Sequence, residues 1–204
     1  MKLLIMIAAM IFASSSCSDA QRPSSGTSTM PDEKILIVYL SRTNNTKVVA
    51  EMIRDNVGGT LVPLELENPY PENYEATVKQ VVKENEKEFL PPLKTKIDDI
   101  KKYDVVFLGF PTWDMQIPPP MKSFLSQYNF KGKTVIPFNT HAGYGAGNSF
   151  QTVRQLCREC KILDGFSTEG GIEKEGVLLA IKDSRKKEVQ TELKNWLRKI
   201  KMVE

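Results

Sequence analysis

The sequence predicts an α/β domain, a doubly wound three-layer αβα sandwich around a five-stranded parallel sheet. Three observations point there. Five short apolar runs alternate along the chain with five amphipathic stretches of helical period. The strongest runs, residues 35–39 and 103–110, are apolar at nearly every position, as strands covered on both faces are. Composition suits one such unit, since 41% of the 204 residues are hydrophobic and 26% are charged.

Residues 35–39 (ILIVY), rich in Ile and Val, make the first strand. Residues 46–57 place Val49, Met52, Ile53 and Val57 on one helical face and stop at Gly58-Gly59. Residues 60–66 interleave Leu61, Leu64 and Leu66 with other residues and read as an edge strand, because Pro63 removes a ladder donor. Residues 74–89 form a charged amphipathic helix stopped by Pro91-Pro92. Residues 103–110 (YDVVFLGF) are the third strand, and residues 118–127 a helix whose opening prolines sacrifice no hydrogen bond. Residues 134–138, 149–157 and 162–166 read strand, helix, strand. Residues 184–200 close the chain as a helix carrying Val189, Leu193, Trp196, Leu197 and Ile200. Right-handed crossovers leave two topologies, a six-strand dinucleotide sheet and a five-strand sheet of order 2-1-3-4-5, and the strand count favours the second. In both, ligands sit beyond the carboxyl ends of the strands, which makes the loops after strands one, three and four the functional candidates.

The chain opens with Lys2 and an apolar stretch over residues 3–12, the charged start and apolar core of a signal peptide. That stretch is too short for a membrane-spanning helix, which takes roughly 20 residues. Small residues 13–16 then lead to Cys17, an arrangement that resembles a bacterial lipoprotein signal, although Ser14 stands where Leu is usual. Signal cleavage without lipidation is the simpler alternative; lipidation of Cys17 is the expectation taken. The organisation expected is a signal peptide over 1–16, a lipid-anchored flexible linker over 17–33 spanning roughly 20 Å, and a domain over 34–204 at the cell envelope. A net charge of +3, reduced by one when Lys2 leaves with the leader, gives no nucleic-acid signal, because the basic residues interleave with acids (KENEKE, DSRKKEVQTE). No metal site is expected from a single His remote from one Cys pair.

The first candidate loop is SRTNNT, Ser41 to Thr46. A dinucleotide fingerprint would put glycines here, and there is none between Lys34 and Val57. Instead Ser41, Thr43, Asn45 and Thr46 bring side-chain donors to the free N–H groups and positive end of the next helix, which suits a terminal phosphate. An ordinary N-cap would explain one of these residues, not four. The third-strand loop, FPTWDMQIPPP, presents Trp113 in a segment stiffened by prolines, either toward a ligand or over the core. The fourth-strand loop, FNTHAGYGAGNSF, holds Thr140, His141, Tyr144 and three alternating glycines that allow close backbone approach. Together the loops describe a pocket for a flat ring with a phosphate tail, a description FMN meets.

The segment IVYLSRTNNTKVVA resembles the flavodoxin signature, with Asn44 in place of the usual small residue. YPENYEATV, YDVVFLGFPTWDMQIPPPMKSFL, GKTVIPFNTHAGYGAGNS and LKNWL resemble one branch of the flavodoxin-like family in the same order, over roughly residues 34–201. The resemblance implies non-covalent FMN, with Ser41, Arg42, Thr43, Asn44, Asn45 and Thr46 around the phosphate. Pro111, Thr112, Trp113 and Asp114 would line one side of the ring, and Thr140, His141, Ala142, Gly143, Tyr144 and Gly145 the other. It implies electron transfer with redox partner proteins or a small-molecule acceptor, no nucleic acid, and membrane contact only through the anchor. Two other readings stand beside it: an NAD(P)H:quinone-type oxidoreductase, and a cofactor-free binding or structural lipoprotein.

Some positions depart from the family pattern. Relatives commonly carry an aromatic and a glycine where Asp114 and Met115 stand, beside a peptide that turns over when the flavin takes one electron and one proton. Without the glycine, a one-electron-reduced flavin is expected to be less stabilised, since positive φ costs a non-glycine residue about 1 kcal/mol. Asp114 near the ring would lower the second potential; alternatively it caps the helix at Pro118 or faces water. His141 is expected to line the ring rather than relay protons, or else to shape its loop. Cys157 and Cys160, about 10 residues beyond the glycine loop and so roughly 15 Å from it along a helix, are expected to be a structural pair, bridged or not.

Overall fold

The computed structural model describes residues 31–204. The expected signal peptide, Cys17 and most of the expected linker lie outside the described residues. In chain order the elements are β1 (Ile35–Tyr39), α1 (Asn45–Val57), β2 (Thr60–Pro63), α2 (Tyr74–Glu86), β3 (Val105–Pro111) and α3 (Pro119–Gln127), followed by β4 (Thr134–His141), α4 (Ser149–Leu156), β5 (Lys161–Ile162), β6 (Phe166–Glu169) and α5 (Asp183–Lys199). All strand pairs are parallel, in the order β2-β1-β3-β4-β5, with β6 also pairing β4.

Alternation along each strand divides the core in two. Ile35, Ile37, Tyr39, Phe107, Ile136 and Phe138 face α1 and α5, meeting Val49, Ile53, Val189, Leu193 and Trp196. Leu36, Val38, Val106, Leu108, Phe110 and Val135 face the other way, against Met121 and Phe124 of α3 and Val153 of α4, with α2 beside α3. Trp196 locks the first layer, packing on Phe107 and Phe166 while its indole N–H donates to Asp164 O at 2.9 Å.

Three elements differ from expectation, each for a local reason. The fifth strand, expected as one run over 162–166, is two short strands. Val135 and His141 turn their carbonyls toward this edge, accepting from Leu163 and Gly170, so Pro137 presents its missing N–H on the same side. The ladder breaks there. Ile162 pairs Val135 but Phe166 pairs Phe138, so one extra residue is accommodated as in a bulge. The second strand ends at Pro63 instead of residue 66, and Leu66 bridges Leu93 antiparallel. The helix expected over 74–89 stops at Glu86, because Glu88 takes φ 50° and Phe89 N returns to Glu84 O. The prolines at 91–92 are not needed to stop it. Cys157 and Cys160 are joined by a disulfide at the end of α4, with Cys157 in the core.

Gly109 sits under Phe138. A Cβ added there would lie 2.1 Å from the ring, which belongs to the residue paired with it across β3 and β4. Gly109→Ala is therefore expected to lower stability by about 1–3 kcal/mol, read as an earlier urea midpoint at unchanged m value. An unshifted midpoint would mean that Phe138 has another place to go.

Candidate functional site

β1, β3 and β4 end side by side. Tyr39 pairs Gly109 and Pro111 pairs Thr140, and the ladder runs one residue further on each side through Leu40 N to Gly109 O and Thr112 N to Thr140 O. The loops leaving these ends enclose a cavity of about 370 Å3.

From the first loop, Arg42, Thr43, Asn45 and Thr46 line it, while Ser41 and Asn44 do not. Asn44 takes the left-handed conformation at φ 65°, which Asn tolerates better than most residues, and so turns the chain into α1. Ser41 Oγ accepts from Lys47 N. Among the described residues nothing accepts from the N–H groups of Thr43, Asn44, Asn45 or Thr46. Four free donors at a helix start, beside the Ser41 and Thr43 hydroxyls, are groups that could cradle an anion. The longer side chains are engaged elsewhere. Asn45, 3% exposed, donates to Thr43 Oγ1 and Leu178 O and accepts from the N–H groups of Ala180 and Ile181, so its side chain ties down the chain entering α5. Arg42 Nε meets both Glu173 carboxylate oxygens at 2.8 and 3.0 Å, and its terminal nitrogens donate to Pro71 O and Glu72 O. Thr46 Oγ1 and Thr140 Oγ1 share a buried hydrogen bond of 2.8 Å.

Pro111, Thr112, Trp113 and Asp114 all line the cavity. Trp113 is half-buried and meets Tyr70 edge-on at 5.2 Å. The Tyr70 hydroxyl bonds the buried Glu84 carboxylate, and burial together with that carboxylate raises its pKa. Trp113 and Gln116 exchange two backbone hydrogen bonds around Asp114 and Met115, which sit at φ 51° and 55°. Both central residues of this tight turn are thus left-handed, although neither is glycine. Asp114 does not cap α3, which has no side-chain cap; its carboxylate accepts from Asn85 and Gln116.

Thr140, His141, Ala142 and Tyr144 also line the cavity, while Gly143 and Gly145 do not. Thr112 Oγ1 donates to Gly145 O and accepts from Asn139, which fixes the two loops to each other. The close approach that glycines permit is made at Gly147, where a Cβ would lie 2.0 Å from Met115 O. His141 Nδ1 accepts from Gly143 N at 3.1 Å, so the imidazole shapes its loop as well as lining the cavity. Burial lowers its pKa, against the opposing influence of Glu169.

Two walls were absent from the sequence reading. Tyr74, Thr77, Val78 and Val81 of α2 supply an apolar side, and Gly170 to Glu175, after β6, cover the anion end. The 3.6-residue period of α2 was visible, but nothing in it distinguishes a cavity-facing turn from a solvated one. Among the described residues no group of His, Cys, Asp or Glu could hold a metal ion.

A family model described as Flavodoxin matches residues 34–200. The chain belongs to the flavodoxin family. Flavodoxin from Synechocystis sp. (strain ATCC 27184 / PCC 6803 / Kazusa) is 23% identical over 130 residues, and the match spans 62% of this chain and 62% of that relative's own length. A solved structure of a provisionally assigned flavoprotein from Bacteroides eggerthii DSM 20697 is 28% identical and superposes at a TM-score of 0.65 over 82% of this chain and 97% of that one. A flavoprotein from Lactobacillus acidophilus NCFM, solved in complex with FMN, shares the fold at 22% identity and a TM-score of 0.59, over 66% of this chain and 92% of its own.

In this flavodoxin-family chain the neutral imidazole of His141 is the form the fold accepts. Because its folded pKa is depressed, its contribution is complete above the ordinary imidazole range and is lost as the pH falls below it. Between about pH 7.5 and about pH 5.5, the urea midpoint is expected to fall more for the native chain than for His141→Asn, whose amide oxygen can accept from Gly143 without titrating. Parallel curves would show that the imidazole is not strained toward its neutral form.

Proposed function

We propose that the chain binds FMN non-covalently and serves in electron transfer at the cell envelope. The supporting observation is the unclaimed backbone donors of residues 43–46, a segment whose Thr43, Asn45 and Thr46 line the same cavity as Trp113, Thr140 and His141. Family membership supports the same cofactor. When bound, FMN supplies one- and two-electron chemistry that no side chain here can supply.

The chain's own groups divide the work of holding it. The N–H groups of residues 43–46 and the hydroxyls of Ser41 and Thr43 take the phosphate. Arg42, neutralised by Glu173, adds little net charge but holds residues 71–72 and 173 over the anion end. Trp113 and the 140–145 loop flank the ring and restrict water, and His141, with Nδ1 occupied, offers a proton only at Nε2. The apolar α2 wall beside Trp113 favours a second reading, reduction of a small planar acceptor. Consumption of a nicotinamide donor dependent on an added quinone separates it from transfer between proteins.

FMN is expected to bind the purified protein at least about a hundredfold more tightly than riboflavin, and Thr43→Val to narrow the gap by about tenfold without changing riboflavin affinity. Equal affinities would mean that the 41–46 segment is only a helix start. For the envelope placement, we propose that Cys17 carries a lipid. Mass spectrometry of the membrane-fraction protein should give an N-terminal peptide beginning at a lipidated Cys17; an unmodified peptide cleaved elsewhere would reject the anchor.

A further inference from the structure

The strained turn at the crevice is closed from outside by a ring of four polar side chains. Asn85, in the last turn of α2, donates from Nδ2 to Asp114 Oδ2 at 3.1 Å. Gln116 Nε2 donates to the same oxygen at 3.2 Å. Lys122, on α3, completes the circuit by donating from Nζ to Asn85 Oδ1 at 3.0 Å and to Gln116 Oε1 at 2.8 Å. Every amide group in the ring faces the partner its chemistry requires, so the loss of one member takes one of two ring partners from each of its neighbours. The backbone is held from the far side as well, since Asn148 N donates to Met115 O at 3.0 Å and Gly147 abuts that carbonyl.

These bonds oppose a specific tendency. Asp114 tolerates a left-handed conformation, but Met115 does not favour one, and two such residues in succession are strained. Rotating the peptide between them would return Met115 to negative φ and send Asp114 to a region open in practice only to glycine. The ring also keeps the Asp114 carboxylate among donors on the α2–α3 side, one amide away from the Lys122 ammonium through either Asn85 or Gln116, an ammonium that Glu88 also attracts.

We propose that Asn85, Gln116 and Lys122 are positioning residues: they clamp the Trp113–Gln116 turn in one conformation beside the cofactor and keep the Lys122 ammonium one hydrogen-bonded amide away from Asp114, and in this way set the potential of the bound flavin. The inference rests on the FMN reading for the potential, not for the clamp. Without Lys122, the Asp114 carboxylate keeps its two amide donors but loses the nearby positive charge, and so opposes the addition of electrons more strongly. Asn85→Ala opens the ring but keeps both charges.

The test has two arms. In the FMN-free protein, hydrogen exchange at the Trp113 and Gln116 amides, which bond only while the turn is closed, is expected to speed up at least about tenfold in both Lys122→Met and Asn85→Ala. In the FMN-loaded protein, the midpoint potential of Lys122→Met is expected to move to more negative values, while Lys122→Arg stays near the native value and FMN affinity is retained. Unchanged exchange in both variants, or an unmoved potential in Lys122→Met, overturns the proposal. If Lys122→Met does not fold, Lys122→Gln takes its place in both arms. If the native protein takes up no FMN, the functional reading falls, and the exchange arm still decides the clamp.

Discussion

β3 is the constraint from which the site follows. It is buried along most of its length, and with no water on either face its backbone groups must pair on both sides. That requirement fixes β1 and β4 in register with it. It delivers Leu40, Thr112 and the end of β4 to one edge within a residue of each other. Gly109 contributes at the same level, since only a residue without Cβ lets Phe138 lie across the strand toward α1 and α5. The hydrogen bond between Thr46 and Thr140 then ties the start of α1 to the end of β4, so the first loop and the β4 loop are positioned relative to each other by a buried contact rather than by loop packing.

The polar loop at the end of β1 divides its labour in a way its composition conceals. A string of hydroxyls and amides suggests side chains gathered around an anion, yet the best donors among them work on the protein. Asn45 satisfies three separate backbone groups of residues 178–181, and Arg42 bridges two other loops. What remains for an anion, beside the Ser41 and Thr43 hydroxyls, is backbone N–H, the group least able to move and least costly to preorganise. Because Glu173 offsets Arg42, the cradle is dipolar rather than cationic.

Alternation of apolar runs and helical period gave the topology, because burial on two faces writes itself into composition. The three loops were legible for a related reason: the carboxyl edge of a parallel sheet is where side chains serve neither core nor solvent. The sequence could not reveal tertiary choices made by single residues. Pro137 is one residue in an otherwise continuous strand, and its missing donor matters only because it faces the β5–β6 edge. Residues 170–175 carry no motif; that Glu173 meets Arg42, 131 positions away, is not a periodicity any window detects. The double left-handed turn at Asp114 and Met115 was anticipated only as a cost, to be met on reduction of a flavin. In the structure that cost is already present at rest.

This last point reverses the direction of the strain argument. A non-glycine residue was expected to resist a conformation the loop had yet to adopt; instead, both residues occupy left-handed backbone and the surroundings are arranged to keep them there. Two reciprocal backbone bonds, the Asn148 donor and the ring through Asn85, Gln116 and Lys122 all act on four consecutive residues. Strain persists only where neighbours over-determine the conformation, and this turn has neighbours from α2, from α3 and from the β4–α4 loop. The opposite wall is built differently: residues 170–175 are held over the cavity chiefly by a partly exposed ion pair and a few backbone bonds. A ligand entering this crevice therefore meets one wall whose geometry is fixed beforehand and one held by weaker contacts. Whatever adjustment binding demands falls on the side that carries Glu173, not on the side that carries Trp113.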